Sequence, residues 1–173
     1  GGFSLRKNAL GLIKAFSRVY KDLNLPYKLL VGGALKDEGA KLSTFVKENK
    51  MEDKIIFAGY IEDDILPILY SGCEAFVYPS FYEGFGLPPL EAMSCKAPVI
   101  TSNLTSIPEV TKDNAILINP YILDELEKAL VTLLNDEELK NTLSEKGYLR
   151  SLEFTWKKTA QNTLDIYKQL SIV

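Results

Sequence analysis

The stretch from Ala75 to Ile100 constrains this chain more than any other. An apolar, β-rich run, Ala75 to Tyr78, stops at Pro79 and gives way to a loop carrying Gly84 and Gly86. Pro88 and Pro89 then open a short helix, since proline suits the first helical position, and a second apolar run begins at Pro98. The same strand–helix alternation recurs along the chain. Alternation of that kind gives a parallel sheet with helices on both faces.

The loop has chemistry of its own. A helix start carries about half a positive charge and several unpaired N–H donors. Pro88 and Pro89 supply none, so the free donors are the amides of Phe85, Gly86 and Leu87, with Leu90 behind them. Glycines at 84 and 86 allow close backbone approach and positive φ, which makes a plausible anion cradle. Glu83 lies in the loop and Glu91 in the first turn of the helix. An ionised Glu91 acts as an acceptor only, and because it repels anions its natural partner is a neutral polyol such as ribose. The plainer alternative is a strand-to-helix connection in which Glu91 merely satisfies the helix dipole.

Elsewhere, Ala9, Leu12, Ile13, Phe16, Val19 and Leu23 make one helical stripe, with Asn8 placed to cap it. Tyr27 to Val31 reads as a strand, Gly32-Gly33 as a tight turn, and 38–49 as a helix with Leu42, Phe45 and Val46 inward. Ile55 to Ala58 is the next strand. Glu62, Asp63 and Asp64 are expected to cap and charge a helix that holds Pro67 and ends near Gly72. Pro98 to Thr101 and Ala115 to Ile118 are further strands. Ser106-Ile-Pro-Glu109 has the capping-box spacing, which makes Glu109 structural first. Ile122, Leu126, Ala129, Leu130 and Leu133 form a stripe, Asp136 caps a helix through Leu139 and Leu143, and Thr155 caps the last one. Trp156, Ala160, Thr163, Leu164 and Tyr167 are expected to face inward there.

These elements specify an α/β fold, a doubly wound, Rossmann-like parallel sheet. No strand precedes the first helix, so 1–173 is expected to be one domain cut from a longer protein. Ligands bind such sheets at the carboxyl ends of the strands. Arg6-Lys7, Gly32-Gly33, Gly59-Tyr60, the Glu83–Glu91 loop and Thr101-Ser102 all fall there. Two cations at the front of a helix suggest an anionic ligand, although an isolated basic pair is more often solvated.

Composition excludes several chemistries. The chain has no histidine, which removes His-dependent triads and His-ligated metals. A net charge of −3 argues against nucleic acid as the main partner. Cys73 and Cys95 lack a C-x-x-C spacing and read as buried small hydrophobes in a reducing compartment. No apolar run approaches a membrane span and no signal peptide is visible, so a cytoplasmic location is expected.

Pro79-Ser80, Glu83-Gly-Phe-Gly-Leu-Pro88, Leu90-Glu-Ala-Met93 and Ala97-Pro-Val99 together resemble the retaining nucleotide-sugar glycosyltransferases of GT-B architecture, best the group 1 family. Arg6-Lys7-Asn8, Ser106-Ile-Pro-Glu-Val110 and Phe154-Thr-Trp156 fall in that family's order. The resemblance implies the C-terminal, donor-binding half of a two-domain hexosyltransferase. It assigns ribose hydroxyls to Glu91, the transferred sugar to Glu83, the sugar and diphosphate to the amides of Phe85, Gly86 and Leu87, and the leaving diphosphate to Lys7 with Arg6. The base would lie beside Tyr60 and Ile61, with Gly33 at the neighbouring strand end. The implied donor is a nucleoside-diphosphate sugar, GDP-mannose by resemblance, with no metal required and a glycan or lipid-linked acceptor. Membrane contact, peripheral at the inner face, would come only through the absent half. Front-face attack, with the donor phosphate taking the acceptor proton, leaves Glu83 to position the sugar. The alternatives are a non-catalytic nucleotide-sugar-binding module and a GT-B nucleotide-sugar epimerase or hydrolase. Two departures stand out: Lys96 replaces a glycine common among relatives, and a further arginine would align near Gly1.

Overall fold

Short apolar runs become parallel strands in the computed structural model, which describes residues 4–23, 26–33 and 37–170. β1 (Leu29–Gly32) pairs with β2 (Ile55–Gly59). β3 (Phe76–Tyr78), β4 (Val99–Ser102) and β5 (Ile116–Ile118) form a second ladder in that order. The expected sheet is therefore hydrogen-bonded in two sections among the described residues. A 3-10 turn, Leu5–Lys7, leads into α1 (Ala9–Leu23), followed in the chain by α2 (Asp37–Glu48), α3 (Leu66–Ser71) and α4 (Leu87–Ser94). The later helices are α5 (Ile107–Thr111), α6 (Leu123–Asn135), α7 (Glu137–Ser151) and α8 (Trp156–Leu170).

Helix α1 ties the two sections together. Its Ile13 and Phe16 pack with Val31, Leu42, Val46 and Ile55 on the first. Its Ala15 and Val19 pack with Ile100, Ile118 and the Leu126, Ala129, Leu130 and Leu133 stripe of α6 on the second. Side chains alternate along a strand, so Val99 meets Ala92 and Met93 of α4 while Ile100 meets α1 and α6. The β3–β5 section is thus covered on both faces, and every residue of β4 is buried. The paired residues Leu30 and Ile56 of the first section stay exposed.

Caps follow expectation where the side chain had no competing partner. Asn8 Oδ1 accepts from Gly11 N at 3.2 Å, Asp136 from Leu139 N at 2.8 Å and Thr155 from Lys158 N at 3.1 Å. Others differ. Glu62, Asp63 and Asp64 lie ahead of α3, whose N-cap is Ile65 without a side-chain bond; a turn closed by Ile65 N on Glu62 O uses the acidic stretch first. Ser106 makes no capping bond, because its hydroxyl donates to Glu83 O at 2.9 Å. Ile122 sits extended and exposed ahead of its otherwise buried stripe. In α8 no residue is buried, and Trp156 is 82% exposed. Periodicity reveals an apolar side of a helix without supplying the surface that covers it. The Leu23 side chain and the residue 1 position lie outside the described residues.

Lys96 takes φ 61°, the left-handed conformation a glycine would adopt without strain. Its ammonium meets Glu145 at 2.7 Å and sits 5.1 Å from the Tyr148 ring centroid. Replacing fully buried Leu133 by alanine is expected to cost about 2–5 kcal/mol of stability. Trp156→Ala should change it by less than about 0.5 kcal/mol. Urea midpoints of the two variants check both, and a large loss at Trp156 would mean that α8 is packed.

Candidate functional site

The loop between β3 and α4 is shaped by one residue that only glycine can fill. Gly86 is the N-cap of α4 at φ 103°, and a Cβ there would lie 2.5 Å from Ile107 Cδ1. Gly84 faces open space and needs no positive φ, so the conformational demand expected of both glycines rests on Gly86 alone. Among the described residues the amides of Phe85, Gly86 and Leu87 donate to no protein acceptor, while Leu90 N bonds back to Gly86 O at 3.3 Å. Three free donors therefore gather at the positive end of α4.

The Glu83 carboxylate is held from three sides. Tyr78 Oη donates to Oε1 at 2.7 Å, Ser80 Oγ lies 2.9 Å from the same oxygen, and Arg6 Nη1 meets Oε2 at 2.7 Å. Its backbone is fixed as well, since Glu83 N donates to Thr105 Oγ1 at 3.1 Å and Glu83 O accepts from Ser106. The 3-10 turn docks on this loop through Phe81 N to Arg6 O at 2.8 Å and Arg6 Nη1 to Tyr82 O at 2.7 Å. Burial pushes the Glu83 carboxyl up, but the bonds from Tyr78, Arg6 and Ser80 and the Arg6 charge outweigh it, so its pKa sits below the ordinary value. Burial raises the Tyr78 phenol, with the Glu83 bond adding to it, and that phenol keeps its proton.

Glu91 is exposed on α4 and accepts one long bond, from Tyr70 Oη at 3.3 Å. Tyr70 meets Phe76 edge-on at 5.1 Å, and Phe76 stacks with Tyr78 at 6.1 Å. An aromatic row thus runs between the tyrosines that hold the two acids. Lys7 is half-buried and makes no ion pair among the described residues. The Gly33 amide is committed to Gly59 O at 2.7 Å, which joins the β1 and β2 ends beside exposed Tyr60 and half-buried Ile61. Thr101 and Ser102 are fully buried and bonded internally, to Tyr78 O and Leu104 N, so they serve the scaffold.

A model of the glycosyl transferases group 1 family matches residues 1–150. The chain belongs to that family. It is 36% identical over 170 residues to O-antigen chain mannosyltransferase B of Escherichia coli, covering 98% of this chain and 45% of that protein. Sucrose-phosphate synthase from Thermosynechococcus elongatus superposes with TM-score 0.86 at 29% identity, covering 99% of this chain and 44% of that one. Anabaena HepE, solved with UDP and glucose, shares the fold at 22% identity and TM-score 0.82, covering 100% of this chain and 47% of HepE. The chain spans less than half the length of each.

Within this group 1 domain several supporting residues were not evident from motif reading. Tyr78 and Ser80 read as a strand end and a turn, and Ser106 as a cap, yet all three bond Glu83. Arg150 is buried and donates from Nε to Val110 O at 2.8 Å and from Nη2 to Glu109 O at 2.7 Å, satisfying the end of α5. It also lies 4.6 Å from the Phe154 ring, and Phe154 meets Phe85 of the loop at 5.8 Å. Long spacing hides the contacts of Ser106 and Arg150 from local pattern, whereas Tyr78 and Ser80 lie only five and three positions from Glu83 and already serve as strand end and turn.

Gly86→Ala is expected to destabilise the domain by at least about 1–2 kcal/mol, through left-handed strain before the Ile107 clash is counted; Gly84→Ala should be near neutral by the same urea assay. Because the Glu83 pKa is depressed on folding, its contribution to stability is present above the unfolded carboxylate value and lost as pH falls through the folded one. Glu83→Gln should therefore be less stable than the parent at neutral pH, and the gap should shrink toward acid in thermal melts taken across pH.

Proposed function

We propose that this chain is the donor-binding domain of a retaining hexosyltransferase, gripping a nucleoside-diphosphate sugar at the β3–α4 loop. One juxtaposition carries the reading: three free amides at the start of α4 beside two acids, Glu83 and Glu91, each held by its own tyrosine. The amides and the helix end receive the diphosphate. Glu91 accepts from ribose hydroxyls, and Glu83 accepts from the sugar. Arg6 uses Nη1 on Tyr82 O and Glu83, which leaves Nε and Nη2 for phosphate oxygens; Lys7 supplies the second cation. The base rests against the backbone of Tyr60 and Ile61, near Gly33.

Breaking the sugar–phosphate bond requires stabilising a diphosphate leaving group and an oxocarbenium-like sugar. Preorganised amides and two cations supply the first without a metal ion. The acceptor hydroxyl attacks from the face the diphosphate leaves, and its proton passes to a donor phosphate oxygen. A retaining glycosidase instead uses a carboxylate as nucleophile. Glu83 is poorly suited to that part, since donors already occupy both its oxygens.

The mannosyltransferase name of the Escherichia coli relative supports mannose as the transferred sugar, with GDP-mannose the donor proposed here; the UDP and glucose complex of HepE makes UDP-sugars the competing class. The remainder of a two-domain GT-B enzyme would bind a glycan or lipid-linked acceptor and make any membrane contact. Free Cys73 and Cys95 fit a cytoplasmic protein.

Calorimetric titration with GDP, UDP and ADP, with and without their sugars, tests the reading. One nucleoside diphosphate should bind. Glu91→Ala should weaken every nucleotide by about 1–3 kcal/mol, the worth of two hydrogen bonds. Glu83→Ala should chiefly remove the preference for the sugar-bearing form. Absence of any binding at millimolar ligand would refute the donor site.

A further inference from the structure

The Glu83 carboxylate offers far fewer acceptor sites than Glu91. An ionised carboxylate has about four lone-pair sites. On Glu83, Oε1 takes the Tyr78 hydroxyl at 2.7 Å. The single Ser80 proton has three oxygens in reach, Glu83 Oε1 at 2.9 Å, Tyr82 O at 3.1 Å and Arg6 O at 3.3 Å. The charged oxygen is the nearest of them and the strongest acceptor, so it takes the proton. Both sites of Oε1 are then filled. Oε2 receives Arg6 Nη1 at 2.7 Å, and one site remains. Glu91, by contrast, carries a single bond of 3.3 Å and keeps three sites, enough for a pair of neighbouring hydroxyls.

Resting on the donor-site reading above, we infer that Tyr78 is a positioning residue that leaves Glu83 one open acceptor, so that the carboxylate reads one hydroxyl of the bound sugar. The phenol comes from the last residue of β3, a half-buried position, and is braced by stacking on Phe76. Thr101 fixes the Tyr78 carbonyl from β4 at 2.8 Å. Tyr78 thus aims at Oε1 from rigid backbone, while Glu83 itself lies on a loop. The charged and titratable groups facing the carboxylate are Arg6 from the 3-10 turn and Tyr78 from β3; Ser80 adds a neutral donor. Removing the phenol hydroxyl frees a lone pair on Oε1, lets the carboxylate turn, and removes a bond that favours its ionised form.

Tyr78→Phe keeps the ring and its stacking. In calorimetry with GDP and GDP-mannose, and with UDP and UDP-glucose, the variant should bind the bare nucleoside diphosphate within about twofold of the parent. Its preference for the sugar-bearing form should fall between about twofold and tenfold, the worth of one hydrogen bond. Carbon-13 NMR of the Glu83 side-chain carboxyl, followed against pH, should show it titrating at higher pH in Tyr78→Phe, and in Ser80→Ala as a second variant. An unchanged sugar preference, or an equal loss for both ligand forms, overturns the inference. So does an unchanged Glu83 titration in both variants, and that measurement needs no ligand. Failure of every nucleotide to bind the parent sinks the donor-site reading instead, and with it the hydroxyl-reading part of this one, while the titration still judges whether Tyr78 holds the acid.

Discussion

Keeping a half-buried carboxylate ionised is the constraint around which the site is built. Burial alone would push Glu83 toward its neutral form, and three donors from three places in the chain reverse that. Those donors recruit the 3-10 turn through Arg6, strand β3 through Tyr78, and the turn after it through Ser80. Backbone bonds from Thr105 and Ser106 then bring in the segment after β4. Residues separated by a hundred positions in sequence are thereby fastened to one residue.

The scaffold makes that convergence affordable in conformational terms. Both ladders are parallel, so the β1, β2, β3, β4 and β5 carboxyl ends all point the same way within their sections. Helix α1 spans the sections, with Ile13 and Phe16 on one and Ala15 and Val19 on the other. Its start is anchored by Asn8, which caps the helix and donates to Pro120 O at 3.1 Å. Arg6 closely precedes that anchor, which is why it arrives beside the β3–α4 loop. On the other flank, Arg150 closes α5 and so fixes Ile107, the residue against which Gly86 is packed.

The sheet strands, the α6 stripe and the glutamate–glycine motif were legible because each is a local signal of period, cap or backbone conformation. Asn8, Asp136 and Thr155 cap as their neighbours in sequence demand. Ser106 carried an equally good local signal and went elsewhere, because a loop carbonyl twenty-three positions away competed for its hydroxyl. Tyr78 gave no signal of its bond to Glu83, since an aromatic residue suits a strand end whatever it bonds, and Ser80 stood in a recognised motif without revealing its partner. Helix α8 is the opposite case. Its apolar side was plain in sequence, but burial needs a second surface, and no residue of the helix is buried in this chain. The division of the sheet was likewise invisible, because pairing between strands is not written in either strand alone.

The donors on Glu83 also differ in how firmly they hold. Arg6 has a side chain 44% exposed, against 11% for Glu83, and an ion pair so open to water contributes little by itself. The Nε and Nη2 of Arg6 are left for the proposed diphosphate, while Nη1 stays on Glu83. Tyr78 and Ser80 are shielded, and Ser80 is almost wholly buried, so their bonds do not depend on screening by solvent or salt. The acid consequently keeps its place and its charge while the cation beside it is shared. The proposed donor would use that division: an exposed cation shared with the diphosphate, and neutral donors that stay with the acid.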